Sequence, residues 1–254
     1  MKTLDKKRAL VTGAASGIGL AIVRELHAQG MQVTASDLSQ QKLAEVFEPL
    51  ASVRLIAADL SKKEAVVRLG VEAGPIDVLI NNAGLQHVSP VESFDQAKWD
   101  LLIQVMLTAP FQLIQAVLPG MYERSWGRII NVSSVHGLVA SPFKSAYVSA
   151  KHGIMGLTKT VALEAGARSH NITCNAVCPS YVRTPLVEKQ LADQARVHGI
   201  PEAEVLEKVL LTQNAIKRLI EPEEVAQLCT FLCGDGAWSI TGSEQKMDAG
   251  WLAH

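Results

Sequence analysis

Residues 8–19 read RALVTGAASGIG, from Arg8 to Gly19. An apolar run of strand length enters a turn with glycines at 13, 17 and 19, and helical periodicity starts at once over 17–29. Strand, glycine-rich turn and helix in immediate succession let a backbone approach a pyrophosphate closely and aim helix N–H groups at it. Gly13, Ser16, Gly17, Ile18 and Gly19 are therefore candidate cofactor contacts. The plainer alternative is an ordinary strand-to-helix turn.

Outward from this turn the same alternation continues to the end of the chain. Apolar strands are expected over 8–12, 32–36, 53–57, 76–81, 127–133, 171–178 and near 244–247. Helical segments are expected over 17–29, 39–50, 62–71, 96–123, 145–168 and 223–233. Pro110 and Pro119 should bend or end the long one, because proline lacks the N–H and clashes with the preceding turn. Near-continuous apolar strands separated by helices imply a parallel sheet covered on both faces. The expectation is one α/β domain over 1–254, a Rossmann-type doubly wound sheet, with a helical substrate lid at about 186–214. A solvated helical hairpin is the other reading of that insertion.

Hydrophobic residues make up 48% and charged residues 19%, with a net charge of −1, which fits a soluble chain with a large core. No basic stripe interleaved with aromatics appears, so nucleic acid is not an expected partner. No apolar run is expected to span a membrane, and the N-terminus lacks a signal-peptide core, which points to the cytoplasm. Cys174/Cys178 and Cys229/Cys233 have a poor zinc spacing and read as buried thiols; no metal site is expected.

Tyr147 and Lys151 stand as Y-V-S-A-K, four apart, so a helix puts them on one face. An ammonium beside a phenol favours the ionised ring, which would let Tyr147 exchange a proton nearer neutral pH. Ser134 lies thirteen residues upstream. Asp37 ends the second strand, where a carboxylate accepts from adenosine ribose hydroxyls and repels a 2′-phosphate; capping the next helix is its alternative role. Ala35, Ser36 and Leu38 bring no cation, so NAD is favoured over NADP.

T-G-x₃-G-x-G, the Asn81-Asn82-Ala83-Gly84 turn, Ser134, Y-x-x-x-K and Cys178-Pro179 occur in this order over essentially the whole chain. Together they make the protein resemble the short-chain dehydrogenase/reductase family. The resemblance implies that Ser134 orients a substrate oxygen, Tyr147 is the general acid/base, and Lys151 binds the nicotinamide ribose. It also implies cofactor contacts from Asp59, Leu60, Asn82, Ala83 and Gly84, and from Pro179, Val182 and Thr184, with Asp59 near adenine and Thr184 near the carboxamide. A homotetramer is implied too, in keeping with the wide apolar arcs of 96–123 and 145–168.

Two positions depart from the family. Met106 stands where an Asn completes the catalytic set, and a thioether cannot replace an amide. Ser180 stands where Gly usually follows Cys-Pro, which would strain a left-handed position. Around the expected nicotinamide end, Gln86, His136, Lys144 and Gln190 offer the charge and donors that a small carboxylate needs. The surrounding segments resemble the bacterial D-3-hydroxybutyrate dehydrogenases within the family. That likeness implies a carboxylate clamp from those four residues, a pocket closed by Trp251, and oxidation of (R)-3-hydroxybutyrate with NAD. Dehydrogenases of other hydroxy acids, sugars or neutral ketones, and a non-catalytic NAD-binding protein, are the competing readings.

Overall fold

Successive residues of each central strand point to opposite faces of one sheet, and each face has its own core. The computed structural model describes residues 4–253, apart from the side chains of Lys189, Gln190 and Val197. Its strands are β1 (Arg8–Thr12), β2 (Gln32–Asp37), β3 (Arg54–Ala57), β4 (Val78–Asn81), β5 (Gly127–Val132), β6 (Ile172–Pro179) and β7 (Glu244–Met247). All pair in parallel in the order β3-β2-β1-β4-β5-β6-β7. Ala9, Val11, Val78 and Ile80 pack on one side with α1 (Gly17–Ala28), α2 (Gln40–Phe47) and α9 (Pro222–Cys233). Leu10, Leu79 and Ile129 face the other way, against α3 (Lys63–Glu72), α5 (Ala109–Glu123) and α6 (Ser145–Arg168). Strand order reverses between β1 and β4, and the crevice outside the carboxyl ends of the strands at such a point is where ligands bind.

The expected 96–123 helix is interrupted. It comprises α4 (Gln96–Ile103), a π-helical turn over Gln104–Thr108, and α5. Pro110 cannot donate to the carbonyl of Met106 four residues back. Ala109 N–H reaches five back to Gln104 O, the π pattern. Pro119, by contrast, sits inside α5 without ending it. Contrary to the sequence expectation, this 28-residue unit is long and apolar enough to cross a bilayer, with an 18-residue mean hydropathy of 1.8. In the fold it flanks the sheet, with Leu113, Ile114 and Val117 in the second core.

A buried polar chain ties α6 to the sheet. Asn81 Nδ2 donates to Asn131 Oδ1 at 2.9 Å, Asn131 Nδ2 to Thr158 Oγ1 at 2.9 Å, and Thr158 Oγ1 to Ile154 O at 2.7 Å. Breaking one such link leaves a buried donor or acceptor unpaired, at about 1–3 kcal/mol. The register of α6, which carries Tyr147 and Lys151, is fixed this way. At the opposite end of the strands Asp77 accepts from Arg8 and Arg124, a clamp far from any cleft.

The 186–214 insertion forms α7 (Pro185–His198), ended by Gly199 in the left-handed region, then α8 (Glu202–Val205) and a second π turn. Its stem is closed by a bridge between Val182 and Ile220.

Candidate active site

A cleft of about 650 Å³ opens at the carboxyl ends of the strands. Its first half is the β1–α1 turn. Gly13 and Gly17 adopt φ of +64° and +51°, which L side chains rarely take. A Cβ on Gly13 would lie 2.8 Å from Ala83 Cα, and one on Gly19 would overlap the carbonyl oxygen of Gly13. Asn82 locks this turn to β4: its Nδ2 donates to Thr12 O and Gly13 O at 2.9 and 3.1 Å. Ser16 caps α1 with an extended backbone but makes no side-chain cap, which leaves the first N–H groups of α1 without a side-chain partner where Ser16, Gly17 and Ile18 line the cleft. This bare backbone cradle suits a pyrophosphate, and its donor set fits a dinucleotide.

Asp37 does not cap the next helix; Ser39 does, accepting from Lys42 N. Asp37 instead accepts from Ala15 N at 2.9 Å and Leu38 N at 2.7 Å, holding its carboxylate at the cleft wall. Asp59 is held below the usual carboxylate range, chiefly by its hydrogen bond with Ser61. Ile18, Leu60, Ala83 and Gly84 line the same half; Pro179, Val182 and Thr184 line the wall beyond it. Thr184 caps α7 by accepting from Val187 N. A Cβ on Gly17 would touch Thr184 Cγ2 at 2.8 Å, so the base of the lid rests on the glycine turn.

Beyond the cradle, Ser134, Tyr147 and Lys151 line the cleft together. Ser134 follows β5; its Oγ accepts from His136 N at 3.2 Å and donates to Pro179 O at 3.5 Å. Lys151 is 5% exposed, and its Nζ donates to Val132 O at 2.7 Å and lies 5.5 Å from the Tyr147 ring centroid. The sequence expectation for the phenol needs correction here. Burial pushes Tyr147 above its ordinary pKa, with the Ser134 hydrogen bond opposing it, and burial lowers Lys151 to about 8. The backbone carbonyl, rather than the phenol, takes the ammonium's short contact, and Ser134 supplies the pull on Tyr147.

Met106 occupies the π turn, 2% exposed, and packs with Ala146, Ala150 and Tyr147. Gln104 is turned away, donating to Leu60 O at 3.2 Å. Ser180 shows no strain: it is absent from the four non-glycine residues with positive φ among those described. The expected penalty for Ser at this position is thereby overturned.

At the far end His136 and Lys144 are 4% and 3% exposed. Lys144 forms no ion pair among the described residues, and His136 Nε2 has no partner. Burial lowers Lys144 to about 8; burial and then the Lys144 charge lower His136 to about 3. Gln86 lines the cleft beside them. The Trp251 ring stands 5.3 Å from His136. Its turn is held by Asp248, which accepts from Gly250 N and Leu252 N. Gln190 lies on α7, but its side chain is outside the described residues. Tyr181 went unread in the sequence: its ring packs 6.5 Å from His136 and 6.3 Å from Trp251, with Lys144 Nζ 5.6 Å above it. Its place two residues after Pro179, beside the anomalous Ser180, was the one available signal.

The sequence model of the short chain dehydrogenases matches residues 7–195. A D-beta-hydroxybutyrate dehydrogenase of Rhizobium meliloti (strain 1021) is 45% identical, over 97% of this chain and 99% of that one. Another of that name from Cupriavidus necator is 41% identical over 98% and 99%. Among solved structures, an actinorhodin polyketide ketoreductase crystallised with NADPH superposes with a TM-score of 0.92 at 30% identity, over 100% of both chains.

Proposed function

The chain belongs to the short-chain dehydrogenase family, an oxidoreductase fold that takes a nicotinamide cofactor, and from that premise we propose that it interconverts (R)-3-hydroxybutyrate and acetoacetate with NAD. The observation that carries this reading is an ammonium and an imidazole, Lys144 and His136, buried beside Ser134 and Tyr147 without an acidic partner among the described residues. A buried cation without a counter-charge is costly unless the substrate brings one, and a carboxylate does.

The overall change is (R)-3-hydroxybutyrate + NAD⁺ ⇌ acetoacetate + NADH + H⁺. When bound, the cofactor accepts the hydride of the carbinol carbon in one direction and returns it in the other. Lys144, His136 and Gln86 hold the carboxylate, while Ser134 donates to the carbinol oxygen. Tyr147 takes the hydroxyl proton in oxidation and gives it back in reduction. Lys151, anchored through Val132, holds its charge beneath the phenol and toward the ribose. The same reading takes the protein as a homotetramer, supported by Phe111 on α5 and Leu163 on α6, 49% and 77% exposed.

The decisive assay follows NADH formation with (R)-3-hydroxybutyrate, its (S) enantiomer and malate. We expect turnover of the (R) acid on the order of 100-fold above the other two; equal rates on all three would remove the carboxylate-and-carbinol geometry from the explanation. Asp37 carries the cofactor choice. Asp37→Ser removes a carboxylate that would meet a 2′-phosphate and should narrow the NAD-over-NADP ratio by about tenfold or more. An unchanged ratio would take Asp37 out of that role.

A further inference from the structure

Among the described residues, four other than glycine have a left-handed backbone, with φ of +63° at Lys6, +51° at Ser125, +65° at Phe143 and +55° at Ala249. Side chains rarely take this conformation, and for a bulky aromatic one it is an outlier. Lys6 and Ser125 are exposed residues just ahead of β1 and β5, at the end of the sheet away from the cleft. The other two stand at the carboxylate end of the site: Phe143 directly precedes Lys144, and Ala249 lies two residues before Trp251. Strained backbone persists only where its surroundings hold it, and it gathers where function needs a fixed geometry.

The peptide between Phe143 and Lys144 is anchored on both sides. Phe143 O accepts from Ser89 N at 2.9 Å, and Lys144 O accepts from Val148 N at 2.8 Å in the first turn of α6. Ser89 lies three residues after Gln86, whose Oε1 accepts from His87 N at 3.3 Å, which leaves the amide nitrogen as the donor for a carboxylate. One backbone hydrogen bond thus ties the loop that carries Gln86 to the residue from which Lys144 is launched. The Phe143 ring does not account for the conformation: it is 38% exposed and joins no aromatic pair among the described residues. Returning Phe143 to an ordinary φ would rotate one side of the chain against the other. The bond to Ser89 and the inward aim of Lys144 could not both survive.

Resting on the carboxylate-clamp reading of the site, we infer that Phe143 is a positioning residue for the reaction: its left-handed backbone sets the spacing between the Gln86 arm and the Lys144 arm of the clamp. The backbone angle at this position does the positioning, and the ring does not. A substrate without a carboxylate makes no use of either arm and is indifferent to the spacing.

The test measures KM and kcat for (R)-3-hydroxybutyrate, and for reduction of a neutral ketone, in the wild type, Phe143→Gly, Phe143→Asn and Phe143→Val. Ser89→Pro is added because it removes the same hydrogen bond from the other side. All three changes at 143 delete the ring, but Gly and Asn enter the left-handed region readily, whereas β-branched Val resists it. Gly and Asn should keep KM for the acid within about threefold of wild type, and Val should raise it by about tenfold or more at unchanged kcat. Ser89→Pro should behave as Phe143→Val does, and neutral-ketone reduction should change by less than about twofold in all four variants. An equal rise in KM across the three changes at 143, a wild-type KM in Phe143→Val or in Ser89→Pro, or a loss that the neutral ketone shares overturns the inference while leaving the hydroxy-acid reading intact. Failure of the wild type to oxidise the acid overturns both.

Discussion

Tyr147→Phe lowers kcat in both directions by about 10³-fold, while NADH affinity and melting temperature stay close to wild type. The ring remains, so its packing against Met106, Ala146 and Ala150 remains; only the oxygen beside Ser134 is lost. No neighbour can take over. The His136 ring is 6.2 Å away, centroid to centroid, and burial lowers it to about 3, which leaves a poor base. Lys151 is occupied by Val132 O. The pH profile gives a second, independent reading. Burial raises the pKa of Tyr147, so around neutrality the phenol holds its proton and is poised as an acid. Oxidation needs the phenolate and should therefore climb as pH rises, while reduction should fall. Ser134→Ala removes the hydrogen bond that opposes the rise, so its oxidation profile should move to still higher pH. Activity of the Phe variant within tenfold of wild type would mean that the proton goes elsewhere.

The fold was legible because its determinants are local. The inner strands β1, β4, β5 and β6 are apolar enough to be buried on both faces, and helical periods separate the strands along the chain, so the doubly wound sheet follows from chain order. The cleft half made by Gly13–Gly19, Asp37 and Asn82 was legible for the same reason: a strand end and its turn are contiguous in sequence. What escaped the sequence depends on contacts across the fold. Tyr181 carries no local signal of its place: its ring meets His136 and Trp251 and lies under the Lys144 ammonium, partners drawn from three separate segments. The proline at 110 announces a disturbance, yet a bend and a π turn differ only in whether Ala109 N reaches Gln104 O. The phenol's pKa rises because burial, which a four-residue spacing does not reveal, outweighs the Ser134 hydrogen bond. Lys151 reaches past the ring to a strand carbonyl.

Lys144→Met should separate the substrate clamp from the chemistry, through two effects of opposite sign. Methionine keeps most of the buried stem and removes the ammonium. For carboxylate substrates kcat/KM should fall by about 10²-fold, mostly in KM, because a buried carboxylate then lacks its charge partner. Reduction of a neutral ketone should change by less than about twofold. Stability should move the other way. Lys144 is 3% exposed, and burial lowers its pKa from 10.5 to about 8, so holding the charge in the folded state costs roughly 3 kcal/mol in the absence of an anion. That cost is fully present below pH 8 and disappears as pH rises toward 10.5. The variant should accordingly melt a few degrees higher than wild type at pH 7, and the gain should shrink through this window. The same titration governs binding: wild-type KM for a carboxylate should be flat below pH 8 and rise above it, whereas the variant's KM should stay flat throughout. A variant that loses carboxylate and neutral substrates equally, or that melts lower at pH 7, would show that Lys144 holds the structure rather than the substrate.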